Sequence, residues 1–392
     1  MTAPLTILEA LPSAADFYTQ YWNRRPFVVR DAIPEQAIAG LISADELAGL
    51  ALEDAPLSRM IKTAGATRDW SCQFGPFSEQ DFAATGDADW SLLVQNIEQF
   101  HPETAELLRY FNFAPRWLMD DIMVSYSATG GSVGPHIDSY HVFLVQGQGR
   151  RRWKVGRAPI NEEIYIDGLD LKVLAGELDG DEIDVGCGDV LYLPPKFGHE
   201  GTTLEPALTY SVGFLGPKLS ELFGAYGQYL SELETLDQRY VGDGLGPDSA
   251  GFEIAGGAAG EVHNMLARHL DSPDFRQWLA AFFSESSHPD FGTYSEREDI
   301  LSREAFDKKL RAGGSLIKPE YVKFALTATP SGGFCLGFHG QNMNLEGRLV
   351  ALVRMLMAEQ PVDLATMPGL LEDSAAQDFL LDLYNHQIVE LL

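Results

Sequence analysis

Short apolar runs separated by Gly and Pro are the main pattern of the first 216 residues. The runs are rich in β-branched and aromatic residues, and they cover 26–30, 90–95, 121–127, 140–146, 150–155, 189–195 and 207–214. Many short strands with turn signals between them are typical of an antiparallel sandwich or barrel. Helical patterns lie mainly before residue 112, around 14–22, 44–52 and 102–111. The pattern therefore predicts a mainly β domain over residues 1–216.

The apolar spacing becomes helical from Lys218 onward. Helical patterns cover 219–236, 261–270 and 274–286, with a Gly-rich gap over 242–260. Asp271, Ser272 and Pro273 are typical of a helix stop followed by a restart. The surplus of apolar positions suits an interface between helices, and it suits an internal core equally well. We expect a helical domain over residues 217–298 that forms a homodimer.

The last segment, residues 299–392, combines helical patterns with short strands. Its order is one helix, two or three short strands and two further helices, which predicts a winged-helix-like α/β domain. Acidic residues outnumber basic ones 57 to 28 in the whole chain, and no segment is basic. Because domains that read DNA carry a basic surface, we do not expect this one to bind DNA.

Composition places the chain of 392 residues among globular proteins with two or three domains. Its formal charge of −29 disfavours nucleic acid and anionic membranes and favours a basic partner, although such a charge also serves solubility. The cysteines Cys72, Cys187 and Cys335 lie far apart, so we expect neither a zinc site nor a disulfide framework. The N-terminus lacks a basic signal region, and no apolar run reaches the roughly 18 residues of a membrane span. We therefore expect a cytoplasmic protein that does not bind membranes.

A pair of potential metal ligands follows a Gly-rich turn at residues 130–134. His136 and Asp138 are two residues apart, so their side chains point to the same face of an extended strand. A further histidine, His199, comes shortly after a strand that ends at Pro194-Pro195. Two imidazoles and one carboxylate on one face form the facial triad that binds Fe(II) and leaves positions open for a 2-oxo acid and O2. The combination predicts an iron site, whereas an isolated His-x-Asp pair is usually structural.

Side chains alternate between the two faces of the strand predicted over residues 150–155, and this alternation places one arginine inside the domain. Arg151 shares a face with Trp153, whereas Arg150 and Arg152 lie on the opposite face. A buried guanidinium requires an anion. The distal carboxylate of a dicarboxylate such as 2-oxoglutarate would match its planar shape, and a protein carboxylate is the alternative.

The other histidines are predicted to be structural or to lie at the surface. His141 is an odd number of residues away from His136, so on an extended strand its side chain faces away from the iron site. The remaining histidines have no partner at ligand spacing, and they are His101, His263, His269, His288, His339 and His386.

These motifs resemble the JmjC branch of the 2-oxoglutarate oxygenases. Residues 130–156 and 188–201 in particular are similar to the bacterial ribosomal oxygenases, which hydroxylate an arginine of the sixteenth protein of the large ribosomal subunit. The likeness extends over residues 1–216. It implies a cupin-like double-stranded β-helix of the JmjC type, followed by a helical dimerisation domain over 217–298 and a winged-helix-like domain over 299–392.

The resemblance also implies roles for individual residues. His136, Asp138 and His199 would be the iron ligands. Arg151 would bind 2-oxoglutarate, and Ser127 would place a hydroxyl group beside it. The implied reaction couples the oxidative decarboxylation of 2-oxoglutarate by O2 to hydroxylation of the protein substrate.

Three further residues are candidates for binding the substrate arginine. Asp121 shares strand parity with Ser127 and would be the counter-ion, unless it simply begins the strand in solvent. Tyr140 has the parity of the iron ligands and can stack on a guanidinium. Ser211 is proposed mainly from the resemblance. His141 stands where the family has an acidic residue, a departure that concerns the substrate loop rather than the iron.

Two other functions fit the same residues. The protein could be a JmjC oxygenase that hydroxylates another residue, such as histidine, in a different protein. It could also be a cupin-type metal-binding module without turnover, although such a module has no need of a buried Arg151. A basic ribosomal protein as substrate agrees with the strongly acidic composition.

Overall fold

The structure is a computed structural model that describes residues 5–63, 70–233, 239–286, 295–330, 332–367 and 369–392. The chain divides into two compact units. The first comprises the residues up to Gly216, and the second comprises nearly all residues from Pro217 onward. Both the helical segment and the C-terminal segment belong to the second unit. The three-domain division suggested by the sequence stays a prediction.

A ten-stranded sheet forms the framework of the first unit. Its strands are β1 (Thr6–Leu8), β2 (Phe27–Val29), β3 (Ser58–Thr63), β4 (Trp70–Phe74), β5 (Trp90–Val94), β6 (Met119–Ser127), β7 (His141–Pro159), β8 (Gly180–Val185), β9 (Val190–Leu193) and β10 (Phe197–Phe214). The helices are short, and they are α1 (Ala14–Asp16), α2 (Glu35–Ile38), α3 (Ala44–Leu50), α4 (Glu79–Ala83), α5 (Ile97–Phe100) and α6 (Pro102–Ala105). A π-helical turn covers Phe17–Tyr21, and 3₁₀ turns cover Glu106–Phe111 and Arg116–Leu118.

Two long strands, β7 and β10, connect the parts of this sheet, whose order is β1-β2-β9-β7-β10-β6-β5-β3-β4. The first half of β7 pairs with β9 and its second half with β8, while β10 pairs with both β7 and β6. Between the two halves of β7, Gly149 has a φ of +66°, and a Cβ there would lie 2.0 Å from the carbonyl oxygen of Pro206. Only glycine permits this approach. The runs 140–146 and 150–155, predicted as separate strands, are therefore one continuous strand with register shifts in its pairing to β10.

Alternate residues of β7 face opposite sides of the sheet. Phe143 and Val145 are fully buried in the main core, where the rings of Phe17 and Phe111 pack against Phe143. Val142 and Leu144 point to the other side, where they line a cavity. One side of the central strands therefore packs in the main core, and the opposite side lines the cavity, where functional groups can lie.

The sequence pattern does not predict β1, β3, β4 or β8. These strands lie at or near the margins of the sheet, where fewer side chains must be buried, so their apolar alternation is weak. The helix predicted around 14–22 consists of α1 and the π-helical turn, and the helix predicted over 102–111 consists of α6 and a 3₁₀ turn.

Helices and two three-stranded sheets form the second unit. The helices are α7 (Leu219–Glu232), α8 (Gly256–Leu270), α9 (Pro273–Phe282), α10 (Arg303–Arg311), α11 (Arg348–Leu356) and α12 (Ser374–Asn385), and 3₁₀ turns cover Pro247–Ser249 and Leu364–Thr366. The strands are β11 (Ser315–Ile317), β12 (Phe324–Ala328), β13 (Phe334–Phe338), β14 (Gln341–Leu345), β15 (Val362–Asp363) and β16 (Glu390–Leu391). They pair in the orders β15-β11-β16 and β12-β13-β14.

The predicted helix stop and restart before residue 274 is confirmed. Helix α8 ends at Leu270 and α9 begins at Pro273, where the Ser272 hydroxyl accepts a hydrogen bond from the Phe275 amide. Helix α9 packs closely on β13, since a Cβ on Gly337 would lie 1.8 Å from the carbonyl oxygen of Ala280. Among the described residues, no helix is both long and apolar enough to cross a bilayer.

Candidate active site

His136, Asp138 and His199 meet at one point of the first unit. The Nε2 atom of His199 lies 3.4 Å from Oδ2 of Asp138, and Nε2 of His136 lies 4.0 Å from Oδ1 of the same carboxylate. One possible ligand atom of each side chain lies within 4.8 Å of the others. Two main-chain hydrogen bonds of 3.0 Å join His136 to His199. The three groups therefore surround a single position, as a metal site requires.

The backbone that carries His136 and Asp138 differs from the predicted extended strand. It is a loop between β6 and β7, apart from an isolated bridge that pairs His136 with His199. Gly134 in this loop has a φ of +80°, and a Cβ there would lie 3.0 Å from the ring of Trp70. The strand prediction is wrong at this point, because a glycine turn and one bridge to β10 set the side-chain directions.

Hydrogen bonds determine which nitrogen atom each histidine presents. Nδ1 of His136 donates to the carbonyl oxygen of Gly134 at 2.9 Å, and Nδ1 of His199 donates to that of Phe197 at 3.1 Å. Because a carbonyl can only accept, each neutral ring carries its proton on Nδ1 and a lone pair on Nε2. Burial is the main cause that lowers the pKa of His199 to about 4, and the neighbouring His136 adds to it. The His199 ring is therefore neutral at neutral pH.

This set of donor atoms fits Fe(II). Two imidazole nitrogens and one carboxylate oxygen on one side of a metal leave the remaining positions open, which is the geometry of non-haem iron oxygenases. Within the part of the chain that the structure describes, no other group of three His, Cys, Asp or Glu side chains is arranged to hold a metal ion.

Arg151 faces the same cavity and lacks an acidic partner. It is 3% exposed, and its guanidinium lies 4.8 Å from the centre of the Trp153 ring. Nη1 donates to Oγ1 of Thr209 at 3.3 Å and Nη2 to the carbonyl oxygen of Gly201 at 3.2 Å. Its Nε has no hydrogen-bond partner, and no carboxylate of the described residues pairs with it. Burial lowers the pKa of Arg151 to about 10, so the group remains a cation that can bind an anionic ligand.

The neighbouring arginines point outward, as the alternation predicts. Arg152 Nε lies 2.6 Å from Oδ1 of Asp184, and Arg150 Nη2 lies 3.6 Å from Oδ2 of the same residue. Arg150 and Arg152 therefore form ion pairs with an acidic side chain at the surface. The sequence left open that Arg151 pairs with a protein carboxylate. In the structure such salt bridges are formed by Arg150 and Arg152 instead.

A cavity of about 380 Å³ contains both the triad and Arg151. Ser127, Tyr140 and Ser211 also line it. The Ser127 hydroxyl donates to Oγ of Ser91 at 2.7 Å. The structure thus brings together seven of the eight residues that the sequence analysis selected.

Asp121 is the exception, because it does not belong to the cavity lining. Its carboxylate lies beside Gly213, where a Cβ would be 3.3 Å from Oδ1. Burial first, and then the charges of Asp138 and Asp121, raise the pKa of Tyr140 well above its usual value. The Asp121 carboxylate is therefore close enough to influence Tyr140 electrostatically, although Asp121 does not itself line the cavity.

Sequence reasoning missed five polar or charged residues of the cavity, which are Arg59, Ser125, Asp170, Lys172 and Thr209. Thr209 has the same strand parity as Ser211, so alternation alone identifies it. Arg59 lies on β3, whose weak apolar pattern gave no reason to predict a strand there.

His141 is structural in its contacts. Its ring stacks on Trp22 with a centroid distance of 3.4 Å, and its Nδ1 lies 2.8 Å from the Tyr192 hydroxyl oxygen. It lies at the start of β7 and does not line the cavity. The predicted orientation away from the triad is therefore confirmed.

Comparison with known proteins identifies the family. Residues 106–222 match the model of the JmjC domain. The chain is 36% identical over 281 residues to the ribosomal protein uL16 3-hydroxylase of Escherichia coli (strain K12), an alignment that covers 70% of this chain and 72% of the relative. It is 41% identical over 208 residues to a probable ribosomal oxygenase of Haemophilus influenzae, with 53% of this chain and 50% of the relative covered.

Solved structures agree with this result along nearly the whole chain. The E. coli ribosomal oxygenase YcfD in complex with cobalt and 2-oxoglutarate has a TM-score of 0.80 at 29% identity, with 96% of this chain and 97% of that chain covered. The complex of YcfD with cobalt and succinic acid has a TM-score of 0.79 at 30% identity, with 96% and 97% covered.

A JmjC fold with this triad defines a 2-oxoglutarate-dependent dioxygenase, so the predicted fold class and enzyme class are confirmed. Fe(II) and 2-oxoglutarate are the cofactor and cosubstrate of this class. The chain belongs to the bacterial JmjC-type ribosomal oxygenases.

Proposed function

We propose that this protein uses Fe(II), 2-oxoglutarate and O2 to hydroxylate an arginine of a basic protein of the large ribosomal subunit. The observation that carries the proposal is that the triad and the unpaired Arg151 face one cavity. A metal-binding module without turnover would not require such a cation. The names of the two relatives, a uL16 3-hydroxylase and a probable ribosomal oxygenase, support the substrate class.

His136, Asp138 and His199 would bind the metal through two Nε2 atoms and a carboxylate oxygen. When bound, Fe(II) with 2-oxoglutarate and O2 supplies the oxidising chemistry that hydroxylates a C–H bond and leaves succinate and CO2. The protein contributes the orientation of its ligands, since the carbonyl groups of Gly134 and Phe197 hold both Nδ1 protons. It also buries one side of the site, because the His199 side chain is 2% exposed, whereas His136 and Asp138 remain partly exposed.

Arg151 would bind the distal carboxylate of 2-oxoglutarate. Thr209 and Gly201 accept from its two Nη atoms, while its Nε remains for the ligand. Trp153 fixes the plane of the guanidinium. Ser127, on the neighbouring β6, would contribute its hydroxyl group to the same end of the cavity.

Tyr140, Ser211 and Asp121 would select a cationic target. The Tyr140 ring can stack on a guanidinium, and the Ser211 hydroxyl can accept from it. The nearby negative charge of Asp121 favours a cation over a neutral side chain in this part of the cavity. This electrostatic preference is the reason to propose arginine rather than histidine.

The decisive experiment incubates the full-length protein with Fe(II), 2-oxoglutarate and synthetic uL16 peptides. We expect mass spectrometry to find one added oxygen atom on an arginine, with succinate formed in equal amount. Ribosomal proteins from a strain that lacks this protein should show the loss of the same modification. Oxygen on a histidine would favour the alternative target residue, and the absence of succinate would favour a module without turnover.

Asp121→Ala tests the selection of a cation. Hydroxylation of the arginine peptide should fall, while the slow turnover of 2-oxoglutarate without peptide should persist. Asp120→Ala is the matched control, because it removes a charge from the other face of β6. Equal loss of both activities in Asp121→Ala would make Asp121 a structural residue, and no loss would mean that arginine is recognised elsewhere.

Helices α7 and α8 support a homodimer. Large apolar side chains with exposures of 40–70% recur every four residues along one face of each helix, and they are Leu219, Phe223, Val262, Leu266 and Leu270. Monomeric proteins rarely expose such patches. Light scattering should find a dimer at micromolar concentration, and Phe223→Glu with Leu266→Glu should dissociate it. A full-length monomer would contradict the proposal.

The proposed substrate class also supports a cytoplasmic location. Ribosomal proteins are synthesised and assembled in the cytoplasm, and we place the enzyme there. Its net charge of −29 favours a basic protein partner over DNA.

A further inference from the structure

A row of paired residues crosses the inner face of the sheet and ends at Arg59. Arg59 on β3 is paired with Leu93 on β5, Leu93 with Ser125 on β6, and Ser125 with Thr209 on β10. Directly paired residues of antiparallel strands point to the same face, and all four line the cavity. Thr209, at the far end of the row, contacts Arg151. Arg59 therefore lines the catalytic cavity together with Arg151 and Lys172, and it lies three strands away from Thr209, the residue that contacts the proposed anchor of 2-oxoglutarate.

Among the residues that the structure describes, Arg59 has no hydrogen-bond or ion-pair partner. Its side chain is half-buried, and its Nε is enclosed without a hydrogen-bond acceptor. Among the described residues, no carboxylate forms an ion pair with it. Enclosing a charged donor without an acceptor costs free energy, so the group is suited to an acceptor that a ligand brings.

The surroundings of Arg59 indicate what kind of ligand this is. Phe74 on β4 is paired with Arg59, shares its face and is 65% exposed. Phe74 and Leu57 line a second cavity of about 260 Å³, and Arg59 lines both cavities. The catalytic cavity and this second cavity, which Asp54, Ser58 and Gln95 also line, thus meet at the Arg59 side chain, and Phe74 and Leu57 form the apolar part of the second one.

We infer that Arg59 binds an oxygen acceptor of the substrate polypeptide beside the target residue, and that Phe74 and Leu57 contact an apolar side chain of the same polypeptide further along. The inference rests on the proposed function, because it takes the substrate to be a protein segment. Residues of an extended chain are about 3.3 Å apart, so neighbours of a residue at the metal reach the cavity walls. The acceptor is a main-chain carbonyl or a carboxylate, since Arg59 repels the cationic target itself.

Arg59→Gln tests this inference in the full-length enzyme with Fe(II), 2-oxoglutarate and a uL16 peptide. The KM for the peptide should rise about tenfold to a hundredfold, the effect expected for loss of a hydrogen bond to a charged group. The KM for 2-oxoglutarate and the turnover without peptide should not change. Arg150→Gln is the matched control, because it removes the same charge from the outer face of β7 and should leave every constant unchanged.

Two further variants examine the contacts separately. Arg59→Lys should recover part of the affinity for the peptide, and Phe74→Ser should raise the KM for the peptide without a change in kcat. A series of peptides, in each of which one carboxylate is replaced by an amide, then shows whether the acceptor is a carboxylate or a main-chain carbonyl. If one such peptide abolishes the difference between wild type and Arg59→Gln, that carboxylate is the partner. If none does, the partner is a main-chain carbonyl.

An unchanged KM for the peptide in Arg59→Gln would overturn the inference while leaving the proposed function intact. A raised KM for 2-oxoglutarate in this variant would also overturn it, since Arg59 would then bind the cosubstrate. Failure of the wild type to hydroxylate any uL16 peptide would instead overturn the proposed function, and the inference with it.

Discussion

The Nη1 atom of Arg151 lies 3.3 Å from the hydroxyl oxygen of Thr209, which donates its own proton to Oε1 of Gln146 at 3.2 Å. The lone pairs of the hydroxyl group therefore face the guanidinium. The Gln146 amide in turn donates to the carbonyl oxygens of Gln148 and Leu208. Among the described residues, the hydrogen-bond acceptors of Arg151 are neutral, which leaves its positive charge for an anionic ligand.

Arg151→Lys should raise the requirement for 2-oxoglutarate by about tenfold or more, because an ammonium group cannot make the bidentate contact of a guanidinium. Metal binding should remain. The KM for 2-oxoglutarate measures the effect, and Arg152→Lys is the control because its side chain pairs with Asp184 on the outside. A silent Arg151→Lys together with a severe Arg152→Lys would contradict the assignment.

Thr209→Val should weaken the binding of 2-oxoglutarate by roughly 1 kcal/mol, since Arg151 loses an acceptor and Oε1 of Gln146 loses a donor. The same change should lower the thermal midpoint of the protein. Thr202→Val, at an exposed position of the same strand, is the matched control. If both variants bind 2-oxoglutarate equally well, Thr209 does not position Arg151.

His136→Ala, Asp138→Ala and His199→Ala should each abolish Fe(II)-dependent turnover and weaken metal binding strongly, because each removes one of the three proposed ligands. Titration calorimetry with Co(II) measures binding independently of turnover. His141→Asn should retain both properties, since His141 contacts Trp22 and Tyr192 instead. Comparable losses in His141→Asn and His136→Ala would place His141 at the metal.

Side chains alternate between the two faces of a strand, and for this reason much of the site can be predicted from the sequence. The inward position of Arg151 follows from its parity with Trp153, and both residues line the cavity. Asp121 has the same strand parity as Ser127, yet it does not line the cavity, because parity gives the face of a strand but not how far along that face the cavity extends. Arg59 was not visible, since β3 near the margin of the sheet lacks an apolar pattern.

Local sequence also fails where long-range pairing decides the backbone. One β-bridge between His136 and His199 fixes the path of the loop that carries His136 and Asp138, and His199 is distant in the chain. The two apolar runs of β7 become one strand because β10 pairs with both of them. Neither feature follows from the periodicity of the residues concerned.

The last prediction concerns the stability of the first unit in acid. Burial lowers the pKa of His141 to about 4, against an ordinary value near 6.5. Between these two pH values the unfolded chain binds a proton at His141 and the folded protein does not. The free energy of unfolding therefore falls as the pH drops through this range. From pH 7 to pH 5 the contribution of His141 amounts to about 2 kcal/mol.

Urea unfolding at pH 7 and pH 5 measures this contribution. The pKa of His199, which lies in the same unit, is lowered to about 4 as well, so the first unit of the wild-type protein should lose more than the share of His141 alone. His141→Asn should lose about 2 kcal/mol less than wild type over this pH interval, because an amide does not titrate there. Equal losses in wild type and His141→Asn would show that His141 is protonated in the folded protein as readily as in the unfolded chain.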